Sequence, residues 1–233
     1  MSTLREILGN SQYWGLTLSI AAYLFACWLK QKTKLAFLNP ILVSVIVIIA
    51  FLLGVGIDYD TYNKGASYLS WLLTPATVCL AIPLYKQLHL LKKHGAAVAV
   101  SITSGVATSA VSIFLMCRVL GLSHTHYVTL LPKSITTAIG MGVSEELGGL
   151  VTITVAVIII TGVLGNVIAE AVCKIAKIEE PIAKGLALGT SAHAIGTAKA
   201  MEMGPVEGAM SSLAIAVAGL LTVITASVFA GFM

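Results

Sequence analysis

The run Pro132-Lys133-Ser134-Ile135-Thr136-Thr137 sets a proline where a helix would begin, followed by one cation and three hydroxyls. A second run, Gly189-Thr190-Ser191-Ala192-His193-Ala194-Ile195-Gly196-Thr197, adds hydroxyls, an imidazole and glycines that let backbone approach a ligand. Both suit the same chemistry, the holding of a small anion. A helix N-terminus offers N–H groups and a partial positive charge, a lysine neutralises a carboxylate, and hydroxyls hydrogen-bond to its oxygens. The expected substrate contacts are Lys133, Ser134, Thr136 and Thr137 at one broken segment, with Thr190, Ser191, His193 and Thr197 at the other. Glu145 or His193 would carry a coupling proton, since a carboxylate inside a membrane is functional by default and an imidazole titrates near neutrality.

Each of these residues also has a plainer reading. His193 could be a packed, hydrogen-bonded core histidine, and Lys133 could extend to lipid headgroups. Glu145 and Glu146 could both lie at a membrane surface; of the two, Glu145 is the expected inward one. Glu202 and Glu207 flank Gly204-Pro205 and would cap or close a turn there. Asp58, Asp60, His89, His94, His124 and His126 read as loop residues, and the histidines have no ligand spacing, so neither a metal nor another cofactor is expected. A hydrolase built on Ser134 or Ser191 with His193 is not expected either. The chain contains no GxSxG or HExxH, and a serine two residues from its histidine on one helix cannot align as nucleophile and base.

The elements that must position these residues lie in lipid. Of 233 residues 58% are apolar and 10% charged, with a mean hydropathy of +0.96, whereas a soluble domain is about 25% charged. The net charge of +4 does not point to nucleic acid, because the lysines cluster between apolar runs, as in loops that face anionic headgroups. Cys27, Cys79, Cys117 and Cys173 are far apart and sit in or at the end of apolar runs, where they act as small hydrophobes. Eight apolar segments follow one another, at about 13–29, 40–57, 68–88, 94–118, 126–142, 150–173, 182–200 and 208–232. Spanning takes about 20 residues, so 40–57, 94–118, 150–173 and 208–232 qualify on length, and 13–29 reads as a short first span. The other three are interrupted, by Pro75 and Pro83, by Pro132, and by Gly189, His193 and Gly196. Backbone that breaks within a bilayer is tolerated only where protein or a water-filled cavity satisfies it. The expected fold is therefore an all-α membrane protein, a polytopic helical bundle with internal repeats and broken or re-entrant helices.

The repeats show when the chain slides against itself by 57 residues: residues 75–110 match 132–167 at ten of 36 positions, among them Pro75 with Pro132 and Gly105 with Gly162. Repeat units are expected at about 72–128 and 130–186, with a partial third copy at 186–233, all within one domain covering 1–233. Such repeats around discontinuous helices are the construction of many secondary transporters. Lys30, Lys32 and Lys34 in the first loop, and Lys86, Lys92 and Lys93 in the third, place those loops on the cytoplasmic side. The lysines 174, 177 and 184 should also be inside, which requires 126–149 to re-enter rather than cross. Whether the repeats are parallel or inverted stays open.

The runs Pro132-Lys133-Ser134 … Met141-Gly142-Val143-Ser144-Glu145-Glu146-Leu147-Gly148-Gly149 and Gly185-Leu186-Ala187-Leu188-Gly189-Thr190 … His193-Ala194-Ile195-Gly196-Thr197-Ala198 … Glu202 … Glu207-Gly208-Ala209 resemble the LrgB/CidB family over essentially the whole chain. Its members are called antiholin-like or murein-hydrolase-export regulators; the family includes half of the plastid glycolate/glycerate translocator, and bacterial relatives are associated with pyruvate uptake. The resemblance implies a cell-membrane carrier of small monocarboxylates with a separately encoded partner of the LrgA/CidA type, self-association remaining open. The resemblance covers one half of the plastid protein, the other half being LrgA-like. The alternative is a holin-like regulator of murein hydrolase export and lysis that forms oligomeric pores. A chain of this length with a repeat and buried polar segments favours the carrier.

Overall fold

The computed structural model describes residues 11, 13–33, 40–72, 75, 78–79, 81–86 and 88–233, and these form helices joined by turns, with no strand among them. They fall into two compact units that divide after Cys79. The first holds α1 (Trp14–Thr33), α2 (Pro40–Val55) and α3 (Tyr59–Trp71); the second holds α4 (Ala81–Lys86), α5 (Leu88–Val119), α6 (His124–Leu130), α7 (Thr137–Glu146), α8 (Val151–Ile175), α9 (Pro181–Met203) and α10 (Pro205–Ala230).

In the first unit α1 packs on both α2 and α3. Gly15 lies directly against the backbone of Tyr62, and the Ser19 and Tyr62 hydroxyls are 2.6 Å apart. Two expectations are corrected here. The segment 40–57 is a helix of only 16 residues, about 24 Å long and short of a roughly 30 Å hydrocarbon core. It stops because Gly56 turns left-handed (φ 69), and the amides of Gly56 and Ile57 both reach the Leu52 carbonyl, at 2.8 and 3.0 Å. Beyond it there is little loop: Asp58 Oδ2 accepts from the Asp60 amide at 3.0 Å, the arrangement of an N-cap, and α3 then carries Asp60 and Lys64. Lys34, and residues 76, 77 and 80 between Pro75 and Pro83, lie outside the described residues.

The second unit contains the three helices long and apolar enough to cross a membrane among the described residues: Lys92–Val119 within α5, then α8 and α10. They coincide with the expected spans 94–118, 150–173 and 208–232. His89 and His94 belong to α5, which is kinked at His94 (φ −115, ψ 19), and His124 and His126 belong to α6, so none of the four is a loop residue. α9 and α10 form the most extensive contact, and it depends on missing side chains. Gly185 lies on the Glu207 carbonyl and Gly189 on that of Ser211, so a Cβ at either would collide with backbone. Small residues are how helices approach in lipid, where no hydrophobic effect drives them together. Val98, Ile102 and Val106 of α5 complete this core against Leu186 and against Ala209, Met210, Ala214 and Ala218 of α10.

Candidate functional site

Both expected interruptions within the second unit are present, and they are built differently. In the first, α6 ends at Leu130 and α7 starts at Thr137. Pro132 has no N–H with which to continue a helix, and the chain turns tightly, with the Lys133 amide on the Leu130 carbonyl (3.1 Å) and that of Ile135 on Pro132 (3.3 Å). Thr136 takes the N-cap position in extended conformation (φ −63, ψ 147), with no hydrogen bond from its own side chain to the helix.

The turn directs Lys133 and Ser134 into a cleft of about 500 Å³ lined also by Thr190 and Ser191 of α9 and by Ser101, Ser104, Thr108, Ser109 and Ser112 of α5. Its size is in the ordinary range of small-molecule sites. Lys133 Nζ donates to Ser134 Oγ at 3.1 Å, and Ser134 Oγ is 3.1 Å from Ser109 Oγ. Among the described residues Lys133 makes no ion pair, whereas Lys199 pairs with Glu170 at 2.5 Å and with Glu202 at 3.4 Å. A half-buried cation facing hydroxyls, with no carboxylate paired to it among the described residues, is an arrangement that an anionic guest would complete.

Many of the hydroxyls already spend their hydrogens on their own helices. Thr190 Oγ1 donates to the Leu186 carbonyl (2.8 Å), Ser191 Oγ to Ala187 (2.6 Å), Ser104 to Ser101 (2.9 Å) and Ser112 to Ser109 (2.9 Å). They therefore present lone pairs to the cleft, while donation to a ligand falls chiefly to Lys133 and to the Ser109–Ser134 pair. Gly105 lets α5 approach: a Cβ there would stand 3.2 Å from Thr190 Oγ1.

The second interruption is at His193, where α9 breaks with φ 42 and ψ −137, a left-handed conformation costly for a non-glycine residue. The break is closed on itself. His193 Nε2 is 2.9 Å from the Ile158 carbonyl of α8; a carbonyl only accepts, so Nε2 carries the hydrogen. Gly162 makes room for the ring, since a Cβ there would lie 2.7 Å from Cε1. Asn166 Nδ2 donates to the Ile195 carbonyl at 2.9 Å, Thr197 Oγ1 to the His193 carbonyl at 3.1 Å, and the Thr197 and Ser211 hydroxyls are 2.7 Å apart.

Of the eight expected substrate contacts, the structure brings Lys133, Ser134, Thr190 and Ser191 together around the cleft. Thr136 and Thr137 open α7 instead and are not among the lining residues. His193 and Thr197, 3% and 1% exposed, are packed between α8, α9 and α10 with the partners given above. Glu145 and Glu146 are both exposed at the end of α7, so the expectation of an inward Glu145 is corrected. The inward residue is Ser144, whose Oγ accepts from Thr154 Oγ1 at 2.7 Å. Its position follows from the close of the turn, where the Gly149 amide reaches the Ser144 carbonyl at 2.7 Å. Sequence reasoning missed the α5 hydroxyls. Their signal was the spacing Ser101, Ser104, Thr108, Ser109, Ser112, a polar stripe at helical period along an apolar span.

The LrgB-like family matches residues 19–232 of the chain. It is 42% identical over 211 residues to the holin-like protein CidB of Staphylococcus aureus strain Mu50, covering 91% of this chain and 90% of that protein. It is 40% identical over 220 residues to the antiholin-like protein LrgB of Bacillus subtilis strain 168 (94% and 95%) and 37% identical over 222 residues to the LrgB of Bacillus cereus strain B4264 (95% and 96%). No solved protein structure matches it. With its long apolar helices it is a multi-pass protein of the cell membrane, and on the extent of these matches the chain belongs to the LrgB-like family.

Proposed function

We propose that the chain is a carrier of small organic monocarboxylates of the glycolate or pyruvate kind, with the guest's carboxylate on Lys133 in the cleft between α5, the Pro132 turn and α9. The observation that carries this reading is the lysine without an ion pair among described residues, facing a wall of hydroxyls. Hydroxyls that donate to their own helices leave acceptors for the hydroxyl of a guest such as glycolate, whereas pyruvate, which has none, would rest on Lys133 and the Ser109–Ser134 pair. The reading takes 72–128 and 130–186 as repeats with a partial copy at 186–233. α8 and α10 each follow a broken segment, and Gly105 and Gly162, matched in the repeat, each make room for an α9 side chain. An LrgA/CidA-type membrane protein is the proposed partner. Glu145, which is exposed, and His193, which is bonded to Ile158, stay outside the binding site proposed.

The relatives' names favour a second reading. They are called holin-like and antiholin-like, words that speak for a regulator of murein hydrolase export and lysis and not for carriage, which rests on the cleft alone. Both are non-enzymatic. Purified chain in vesicles, with and without its partner, separates them. The carrier reading expects saturable uptake of labelled pyruvate or glycolate that excludes unrelated solutes; indiscriminate leakage of small dyes and sugars would overturn it in favour of the pore.

A further inference from the structure

Where α8 ends and α9 begins, Lys174, Lys177 and Lys184 gather around a cavity of about 260 Å³ together with Glu170 and Glu179. Glu170 is held by Lys199 at 2.5 Å, so positive charge prevails. The chain reverses here through Lys177 in left-handed conformation (φ 53), with the Ile178 amide on the Cys173 carbonyl at 2.8 Å. Sharing Cys173 and Ile178 with that cavity is a second one of about 340 Å³, a mostly apolar groove along α8 and α9 that includes Leu164, Ile168, Val172 and Leu188 and reaches Lys133.

The dimensions and the depth match one kind of molecule. Along α8 the groove runs from Val172 back to Thr161, about 16 Å at roughly 1.5 Å per residue, which is about half of a hydrocarbon core of roughly 30 Å. Leu164, Ile168 and Val172 remain 55%, 47% and 47% exposed. Because α8 is long and apolar enough to cross a membrane, a crossing would set the lysines at its end at headgroup depth. A free phosphate would have no use for the groove, and a neutral lipid none for the lysines.

We propose that this composite pocket binds one anionic phospholipid, its phosphate among Lys174, Lys177 and Lys184 and one acyl chain along the α8–α9 groove. The groove meets the α5 cleft at Lys133 and Ser191, but the proposal stands on lysines 174, 177 and 184, which the carrier reading does not use, and its test reads lipid retention rather than uptake. Basic pockets at the ends of membrane helices gain affinity from each lysine that meets an anionic headgroup.

The test is native mass spectrometry of the purified, delipidated full chain titrated with phosphatidylglycerol or phosphatidylcholine. One phosphatidylglycerol should be retained on the order of tenfold more tightly than phosphatidylcholine. The triple change Lys174→Gln, Lys177→Gln, Lys184→Gln should bring the two lipids level without altering phosphatidylcholine binding. Ile168→Trp, which fills the groove and keeps the charges, should weaken both, with size-exclusion elution confirming the fold. Equal binding of the two lipids by the unaltered chain, an unchanged preference in the triple variant, or displacement by glycerol 3-phosphate (the mark of a free-anion site) would each overturn it.

Discussion

The Pro132 turn and the His193 break are both places where a helix stops inside an apolar protein, yet only one of them opens onto a cleft. At Pro132 the polar groups released by the break, Lys133 and Ser134, have hydroxyl neighbours and empty space before them. At His193 each polar group described has its own protein partner: the ring on Ile158, the Ile195 carbonyl on Asn166, the Thr197 hydroxyl on Ser211. Interrupted backbone in lipid is thus not by itself a binding site. It becomes one where side chains are left to be satisfied by a guest, and it is a structural joint where they satisfy one another.

The contrast can be broken by five substitutions. His193→Ala removes a ring and its bond to Ile158 and should have the largest effect on stability, about 3 kcal/mol, read as thermal unfolding in detergent; uptake per folded molecule should persist. Complete loss of uptake in well-folded His193→Ala would return the imidazole to the substrate. Lys133→Ala should do the reverse, leaving the unfolding midpoint in place while lowering apparent affinity for a labelled monocarboxylate by roughly 30-fold or more. Unaltered uptake in that variant would remove the cleft from consideration. Gly162→Ala sets a methyl against the imidazole and should cost about 1–2 kcal/mol, more than Gly105→Ala, whose added carbon would meet the Thr190 hydroxyl at the looser 3.2 Å; the order of the two melting shifts is the check. Ser191→Ala should be mildest, changing half-saturation less than about threefold, because its hydroxyl already bonds the Ala187 carbonyl and contributes only a partial hydrogen bond to a ligand.

What could be read ahead of the structure follows from whether its cause is local. The spans around α5, α8 and α10 were legible because length and apolarity are properties of a segment, and the break at Pro132 because proline cannot extend a helix. The break in α9 was legible as a region but not as a residue. Gly189 and Gly196, the obvious weak points, stay helical and serve close packing, while the departure falls on His193, whose partners lie some thirty residues away on α8. Long-range satisfaction of that kind leaves no mark in the neighbouring sequence. Half of the site was found through the same local signals, Lys133 and Ser134 beside a proline, Thr190 and Ser191 beside glycines. The facing wall was overlooked because the serines of α5 interrupt neither its length nor its apolar character.

The self-contained bonding at His193 also bears on exchange with solvent. A left-handed residue in the middle of a helix would ordinarily be a point of fraying, with amides on either side quick to take up deuterium. Here α8 grips the ring and the Ile195 carbonyl while α10 holds Thr197, so the amides flanking His193 should be protected as long as those of α10 itself. The faster labelling should appear instead around Lys133 and Ser134, making isotope uptake a map of which gap in this bundle admits water.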